Sequence, residues 1–241
     1  MRLLTVIAVI ATCIPASQVQ PSTGRLFPEI EQYVARRSGE FDRIPEHRRK
    51  TLEELAAVVK SRVSRGETAT LTFICTHNSR RSHFAQIWAR IAAVHYGVKP
   101  VETYSGGTEA TAMNPRTIAA LKRSGIKVST VEESDIEKSI AEKASKNPHY
   151  SVAFSDEEMP LDCYSKVFNQ SPNPSTGFIA IMTCSQADRA CPVVDGCEHR
   201  VSVPFEDPKV ADGTAIEAAA YDERCAQIAT EMLYMMSRVS N

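Results

Sequence analysis

The sequence predicts an α/β fold, a three-layer sandwich with a central four-stranded, mainly parallel sheet, to which a helical N-terminal extension and an inserted hairpin are added. Three observations carry this expectation. Short runs rich in β-branched residues alternate with amphipathic helical segments, the pattern of parallel strands joined by crossover helices. The strand-like runs are apolar along most of their length, as strands covered on both faces are. The helical segments close at Gly66, Gly97 and Gly125, and glycine is the residue at which helices most often stop.

Taken in order, the chain opens with MRLLTVIAVIATCIPASQVQ. Basic Arg2, an apolar run from Leu3 to Ile14 and a small, polar end are the layout of a secretory signal peptide over residues 1–20. The run is too short to span a bilayer, so no membrane span is expected. The expected location is exported and periplasmic, or cytoplasmic if the leader is not cleaved. Residues 21–66 read as the helical extension, with Leu52, Leu55, Val58 or Val59, and Val63 at helical spacing.

TATLTFI then suits a buried strand that ends at Cys75, and Phe84, Trp88 and Ile91 follow a helical period up to Gly97. VETYS and NPRTIAALKRSG repeat the strand and helix, with Asn114 as N-cap and Pro115 at the first helical position. Residues 130–175 break the rhythm: a charged, helix-like piece precedes two alternating runs that suggest a hairpin, and these residues read as an insertion. TGFIAIMT is a third strand ending at Cys184, and RVSVPF is a shorter one. The last helix is expected to open with a Thr214 and Glu217 capping box, and its Tyr221, Cys225, Ile228, Met232 and Met235 share one face. Cys225 is thus expected in the core. The domain expected to carry the chemistry is 67–241.

With 28 basic and 29 acidic residues, the chain has no global electrostatic reason to bind nucleic acid or an anionic membrane. It has seven cysteines. A disulfide framework fits poorly with a chain long enough for a large core, because stapling is a necessity of small domains. Chemistry is expected of at least three of them. Cys163 falls in the insertion with no partner named by the sequence.

FICTHNSRRSHFAQIW, residues 73–88, places a thiol in a strand-to-helix turn. Such a turn points several backbone N–H groups into one concavity, and the helix dipole adds positive potential. The loop Thr76, His77, Asn78, Ser79, Arg80, Arg81 and Ser82 is therefore an expected cradle for a tetrahedral oxyanion. Arg81 adds a bidentate grip and Arg80 long-range attraction, and Ser82 is placed to donate to the sulfur. The same field favours the Cys75 thiolate, an activated nucleophile beneath a bound anion. A structural cysteine at a strand end is the ordinary alternative, but a core position would not be followed by THNSRRS.

CTHNSRRS resembles the Cys-x5-Arg-Ser loop of the low-molecular-weight protein tyrosine phosphatases and of the thioredoxin-coupled arsenate reductases built on the same fold. YSGGTEATAMNPRTIAALKRSGIKVS is similar to the strand and helix that follow in both groups, and the likeness covers residues 68–128 and 176–238. The resemblance implies that Cys75 is the nucleophile, Arg81 the oxyanion clamp, Asn78 a loop-shaping residue and Ser82 the hydrogen-bond donor to the thiolate. It implies that Asp207, before Pro208, is the general acid. It also implies that Cys184 and Cys191 of TCSQADRACP are the two further cysteines of the reductases, the first attacking the arsenic adduct and the second resolving the disulfide. Three positions depart from the common reductase pattern: His77 where a glycine is usual, Arg80 where many have a further cysteine, and Gln86 where some use a glutamate to help hold potassium.

If SQADRA is helical, Cys184 and Cys191 share a face but lie about 10.5 Å apart along the axis. A disulfide tolerates no more than about 7 Å between Cα atoms, so oxidation would unwind the segment. A zinc site from Cys184, Cys191, Cys197 and His199 is the rival reading, although these spacings contain no standard close pair of ligands. No cofactor and no metal are implied. The expected substrate is a small oxyanion, arsenate or phosphate, or a phosphotyrosine, and a reductase would need a thioredoxin-like reductant. Two enzymatic readings stay open from sequence, arsenate reduction by a cysteine relay and hydrolysis of phosphate monoesters. A third, an anion-binding or redox-sensing protein without turnover, would keep the cradle without needing Asp207.

Overall fold

Side chains along a strand alternate between its two faces, and in β1 (Ala69–Cys75) both faces are covered. Leu71 and Phe73 enter a large apolar core, while Ile74 enters a smaller one on the other side. β6 (Phe178–Met182) divides in the same way, with Ile179 and Ile181 in the large core and Phe178, Ala180 and Met182 in the small one. With β2 (Val101–Gly107) and β7 (Cys197–Ser202) these strands form a sheet of order β2-β1-β6-β7, parallel at every pairing. The expected four-stranded parallel sheet is present.

The computed structural model describes residues 26–131 and 147–240. The leader-like segment 1–20 and the charged stretch 132–146 lie outside the described residues. Among those described, no helix is long and apolar enough to cross a membrane.

The large core is closed by α1 (Pro28–Ser38), α2 (Glu46–Val63), α3 (Arg81–His95), α4 (Pro115–Arg123) and α6 (Glu217–Ser240), all four others packing on α6. The helical reading of residues 21–66 thus holds for its described part. Tyr33 of α1 stacks on Trp88 of α3 at 5.0 Å between ring centroids. The Trp88 indole N–H donates to Cys225 Sγ of α6 at 3.2 Å. Cys225 is core packing as expected, and burial pushes its thiol up to about 11. The small core lies under α5 (Ser185–Ala190), on the opposite face of the sheet.

Asn114 caps α4 as expected, its side chain accepting from the Arg116 N–H at 2.9 Å. The box expected at the start of α6 is not formed in its reciprocal way. Thr214 donates its hydroxyl to Ala211 O, and Glu217 accepts from the Gly213 N–H while pairing with Arg116 at 2.7 Å. Arg116 and an extra turn before the helix compete for both partners.

In the region read as an insertion, β4 (Tyr150–Ala153) and β5 (Leu161–Cys163) pair antiparallel as the hairpin expected there. β3 (Lys127–Thr130) joins β4 on its other side, making a second, three-stranded sheet. Cys163 is fully buried in the large core, where burial pushes its thiol up to about 12.

Candidate active site

β1 ends at Cys75 and α3 begins at Arg81, so the loop between them sits at the carboxyl end of the sheet with a helix N-terminus behind it. That is where open α/β sheets collect ligands. Arg80, the residue before α3, makes no side-chain cap, which leaves the first-turn N–H groups to the loop.

Asn78 shapes the turn. Its φ is +44°, a left-handed conformation that asparagine tolerates better than most residues. Its side chain donates to Ser82 Oγ at 2.9 Å and accepts from the Lys166 N–H at 2.9 Å. Because Ser82 Oγ accepts from Asn78, its own proton is free for Cys75 Sγ, 3.1 Å away. The thiol is 3% exposed, in the small core, with the Ser82 hydroxyl beside it.

Arg81 is held by two of its nitrogens. Nη2 donates to Asp207 Oδ2 at 2.7 Å and Nη1 to the carbonyl of Phe205 at 3.1 Å, while Nε is buried without a hydrogen-bond partner. Asp207 also accepts from the Lys209 N–H at 3.1 Å, at the start of a short 3-10 turn. Cys75, Ser82, Arg81 and Asp207 are therefore gathered at one end of the sheet.

The remaining loop residues are placed as follows. Arg80 donates to the Tyr221 hydroxyl at 2.9 Å and lies 3.9 Å from Asp207 and 3.8 Å from Asp212. Tyr221 donates onward to Asp212 at 2.9 Å, and burial together with this carboxylate pushes its hydroxyl up to about 12. Ser79 donates to Ala112 O at 2.7 Å, and the His77 ring lies 3.8 Å from Glu109. Thr76 Oγ1 is 3.4 Å from Cys184 Sγ.

Cys184 follows the strand beside β1 and is fully buried, in the same small core as Cys75. Its sulfur accepts from the Ala187 N–H at 3.3 Å, so it caps α5, and Cys191 is the residue that ends that helix. The segment between the two cysteines is helical, as the sequence allowed. Cys191 and Cys197 are half-buried against the same core. Cys184, Cys191, Cys197 and His199 are not gathered into a group able to hold a metal ion, nor is any other set of three or more such ligands among the described residues.

Three supports of the loop were not read from the sequence. Gly107, paired with Cys75 across β1 and β2, runs so close that a Cβ there would meet Glu109 O at 2.2 Å and both Asn78 N and Thr76 O at 2.7 Å. The glycine pair in YSGG was its signal. Ser165 donates to His77 O at 2.9 Å and Lys166 donates its N–H to Asn78, each from 88 residues downstream. No local pattern marks such contacts.

His83, one turn into α3, is fully buried with Nδ1 3.4 Å from Ser105 Oγ. Burial first, and then the Lys166 ammonium, push it down to about 3 from 6.5. The folded protein keeps it neutral where the unfolded chain protonates, so its contribution to stability is complete above pH 6.5 and is lost as pH falls from 6.5 towards 3. Urea unfolding at pH 7 and pH 4.5 is expected to show that His83→Gln removes about 2–3 kcal/mol of the wild-type acid destabilisation. An identical loss in both proteins would contradict this.

The family described as low molecular weight phosphotyrosine protein phosphatase matches residues 70–145, which include the loop. An arsenate reductase of Staphylococcus haemolyticus is 30% identical over 140 residues, covering 58% of this chain and 78% of that protein. Similar solved structures include a low molecular weight phosphotyrosine phosphatase of Vibrio cholerae (11% identical, TM-score 0.44, covering 70% of this chain and 95% of the other). Another is a thioredoxin-dependent arsenate reductase of Corynebacterium glutamicum (13% identical, TM-score 0.36, covering 83% and 92%). On its sequence relatives, the chain belongs to the family that joins the low molecular weight phosphotyrosine phosphatases with the arsenate reductases similar to them.

Proposed function

We propose that this protein reduces arsenate through a cysteine relay. The observation that carries the reading is the place of Cys184: buried beside the anion loop, against Thr76, and capping a helix that ends at Cys191. A phosphatase has no need of a thiol there.

In this reading arsenate sits on the loop N–H groups and on Arg81, whose buried Nε is still without a partner. The Cys75 thiolate attacks arsenic(V), and an oxygen leaves as water with the proton that Asp207 delivers. The Cys184 thiolate then attacks Cys75 Sγ. The S–As bond breaks with its electron pair on arsenic, arsenic(III) leaves as arsenite, and a Cys75–Cys184 disulfide remains. Cys191 attacks Cys184 and frees Cys75 as thiolate. A dithiol protein of the thioredoxin class reduces the resulting Cys184–Cys191 disulfide by exchange. Six residues of helix separate these two sulfurs, so forming their bond unwinds α5 and carries the disulfide towards the half-exposed Cys191, where a reductant has access.

Hydrolysis of phosphate monoesters is the second reading, favoured by the pairing of Arg81 with Asp207 and needing neither Cys184 nor Cys191. One variant separates the two. Cys184→Ser is expected to lose arsenate reduction with a dithiol donor while aryl phosphate hydrolysis stays within about threefold of wild type. Intact arsenate reduction in Cys184→Ser would remove the relay.

A further inference from the structure

The N-terminal helices take no part in the chemistry above, yet one of their side chains ends beside the segment that carries Asp207. Arg48, in the first turn of α2, donates through Nε at 2.8 Å and Nη2 at 2.5 Å to the two carboxylate oxygens of Glu231 on α6. Its Nη1 donates to the carbonyl of Pro204 at 2.9 Å, and its guanidinium lies 4.9 Å from the centre of the Phe205 ring. Glu231 is 2% exposed. A bidentate pair with a buried carboxylate fixes a guanidinium in direction as well as in place.

The strand from Val203 to Asp207 is a connector without helix or sheet of its own. On one side its N–H groups are tied to the central sheet, Val203 to Met182 O at 2.9 Å and Phe205 to Thr183 O at 3.0 Å. On the other side two arginines hold it in succession. Arg48 takes the carbonyl of Pro204 and the ring of Phe205, and Arg81 takes the carbonyl of Phe205 and the carboxylate of Asp207.

We propose that Arg48 is a positioning residue for Asp207, and that the N-terminal helices serve the reaction by bringing it there. Arg48 touches no reacting atom. It acts by fixing the two residues from which the acid is hung, so that the carboxyl returns to one place when an oxyanion takes over Arg81. The inference rests on the reading of Asp207 as the general acid.

The test compares wild type, Asp207→Asn, Arg48→Met, and Arg48→Met with Glu231→Gln. The double variant leaves no unpaired buried carboxylate, so it separates lost positioning from lost folding. Each is assayed for kcat/KM with phenyl phosphate, whose leaving oxygen needs a proton, and with 2,4-dinitrophenyl phosphate, whose leaving oxygen needs little help. Arsenate reduction, read against the rate of Cys75 alkylation by iodoacetamide, makes the same comparison without an ester. Misplacing the acid is expected to lower kcat/KM for phenyl phosphate and arsenate by about 10- to 100-fold. The dinitrophenyl ester and the alkylation rate are expected to stay within about threefold, since neither step draws on the acid.

An equal loss on both esters, or none on either, in the folded double variant would overturn the positioning role. If Asp207→Asn itself failed to separate the two esters, the acid assignment would fall first and take the role of Arg48 with it. If Asp207→Asn separated them and the Arg48 variants did not, only the inference about Arg48 would fall.

Discussion

Cys75→Ser is expected to fold like wild type and to lose both arsenate reduction and aryl phosphate hydrolysis, by about 10⁴-fold or more. Ser82 Oγ, 3.1 Å from Sγ, accepts from Asn78 and keeps its own proton to donate, and a hydroxyl is no general base for the nucleophile. A serine hydroxyl at position 75 would keep its proton near neutral pH and would face a second hydroxyl in place of a base. Release of aryl alcohol and arsenate-dependent oxidation of a dithiol both measure the loss, and thermal melting reports the fold. A variant retaining more than about a hundredth of either activity would displace Cys75 from the centre of the mechanism.

Arg81→Lys is expected to lower kcat/KM for both substrates by about 10²- to 10³-fold, or roughly 3–4 kcal/mol of transition-state stabilisation. The three nitrogens of Arg81 are placed differently: one holds Asp207, one holds Phe205 O, and the buried Nε has no partner. A lysine ammonium has the charge but not the planar fork, so it offers one point donor where the guanidinium spreads its donors, to Asp207, to Phe205 O and at Nε. Inorganic phosphate should inhibit the variant less strongly, because the same donors bind it. A loss below about fivefold, with phosphate inhibition unchanged, would mean that the helix N-terminus alone carries the anion.

Much of this was legible in the sequence because the signals were local or periodic. The β-branched runs of β1 and β6 announced strands covered on both faces, and Asn114 followed by Pro115 announced a helix start. The thiol, the polar loop and Arg81 stood within seven residues of one another. β3 was not read, since in Lys127–Thr130 only Val128 is buried and four residues give no period to recognise. The box at Thr214 and Glu217 failed because a motif read along the chain cannot see Arg116 arriving from α4. The contacts of Ser165 and Lys166 to the loop, and of Arg48 to the Asp207 segment, join residues far apart in sequence. They exist only once the sheet has set its order.

Asp207 rests on Arg81 at 2.7 Å, so the clamp already holds a carboxylate. In the proposed reaction an oxyanion that takes over Arg81 displaces this internal ligand, and its observed affinity would be lower by the fraction of time Arg81 is taken. On that reading Asp207 would act as a weak, tethered competitor of the substrate. A tetrahedral oxyanion that also filled the backbone N–H groups and the unpartnered Nε of Arg81 would outcompete the tethered carboxylate, whereas a planar carboxylate metabolite would gain little that Asp207 does not already have. With Asp207 as the proposed acid, such a latch would sort anions by shape before any bond is made, and would tie the acid's release to the arrival of the molecule it protonates.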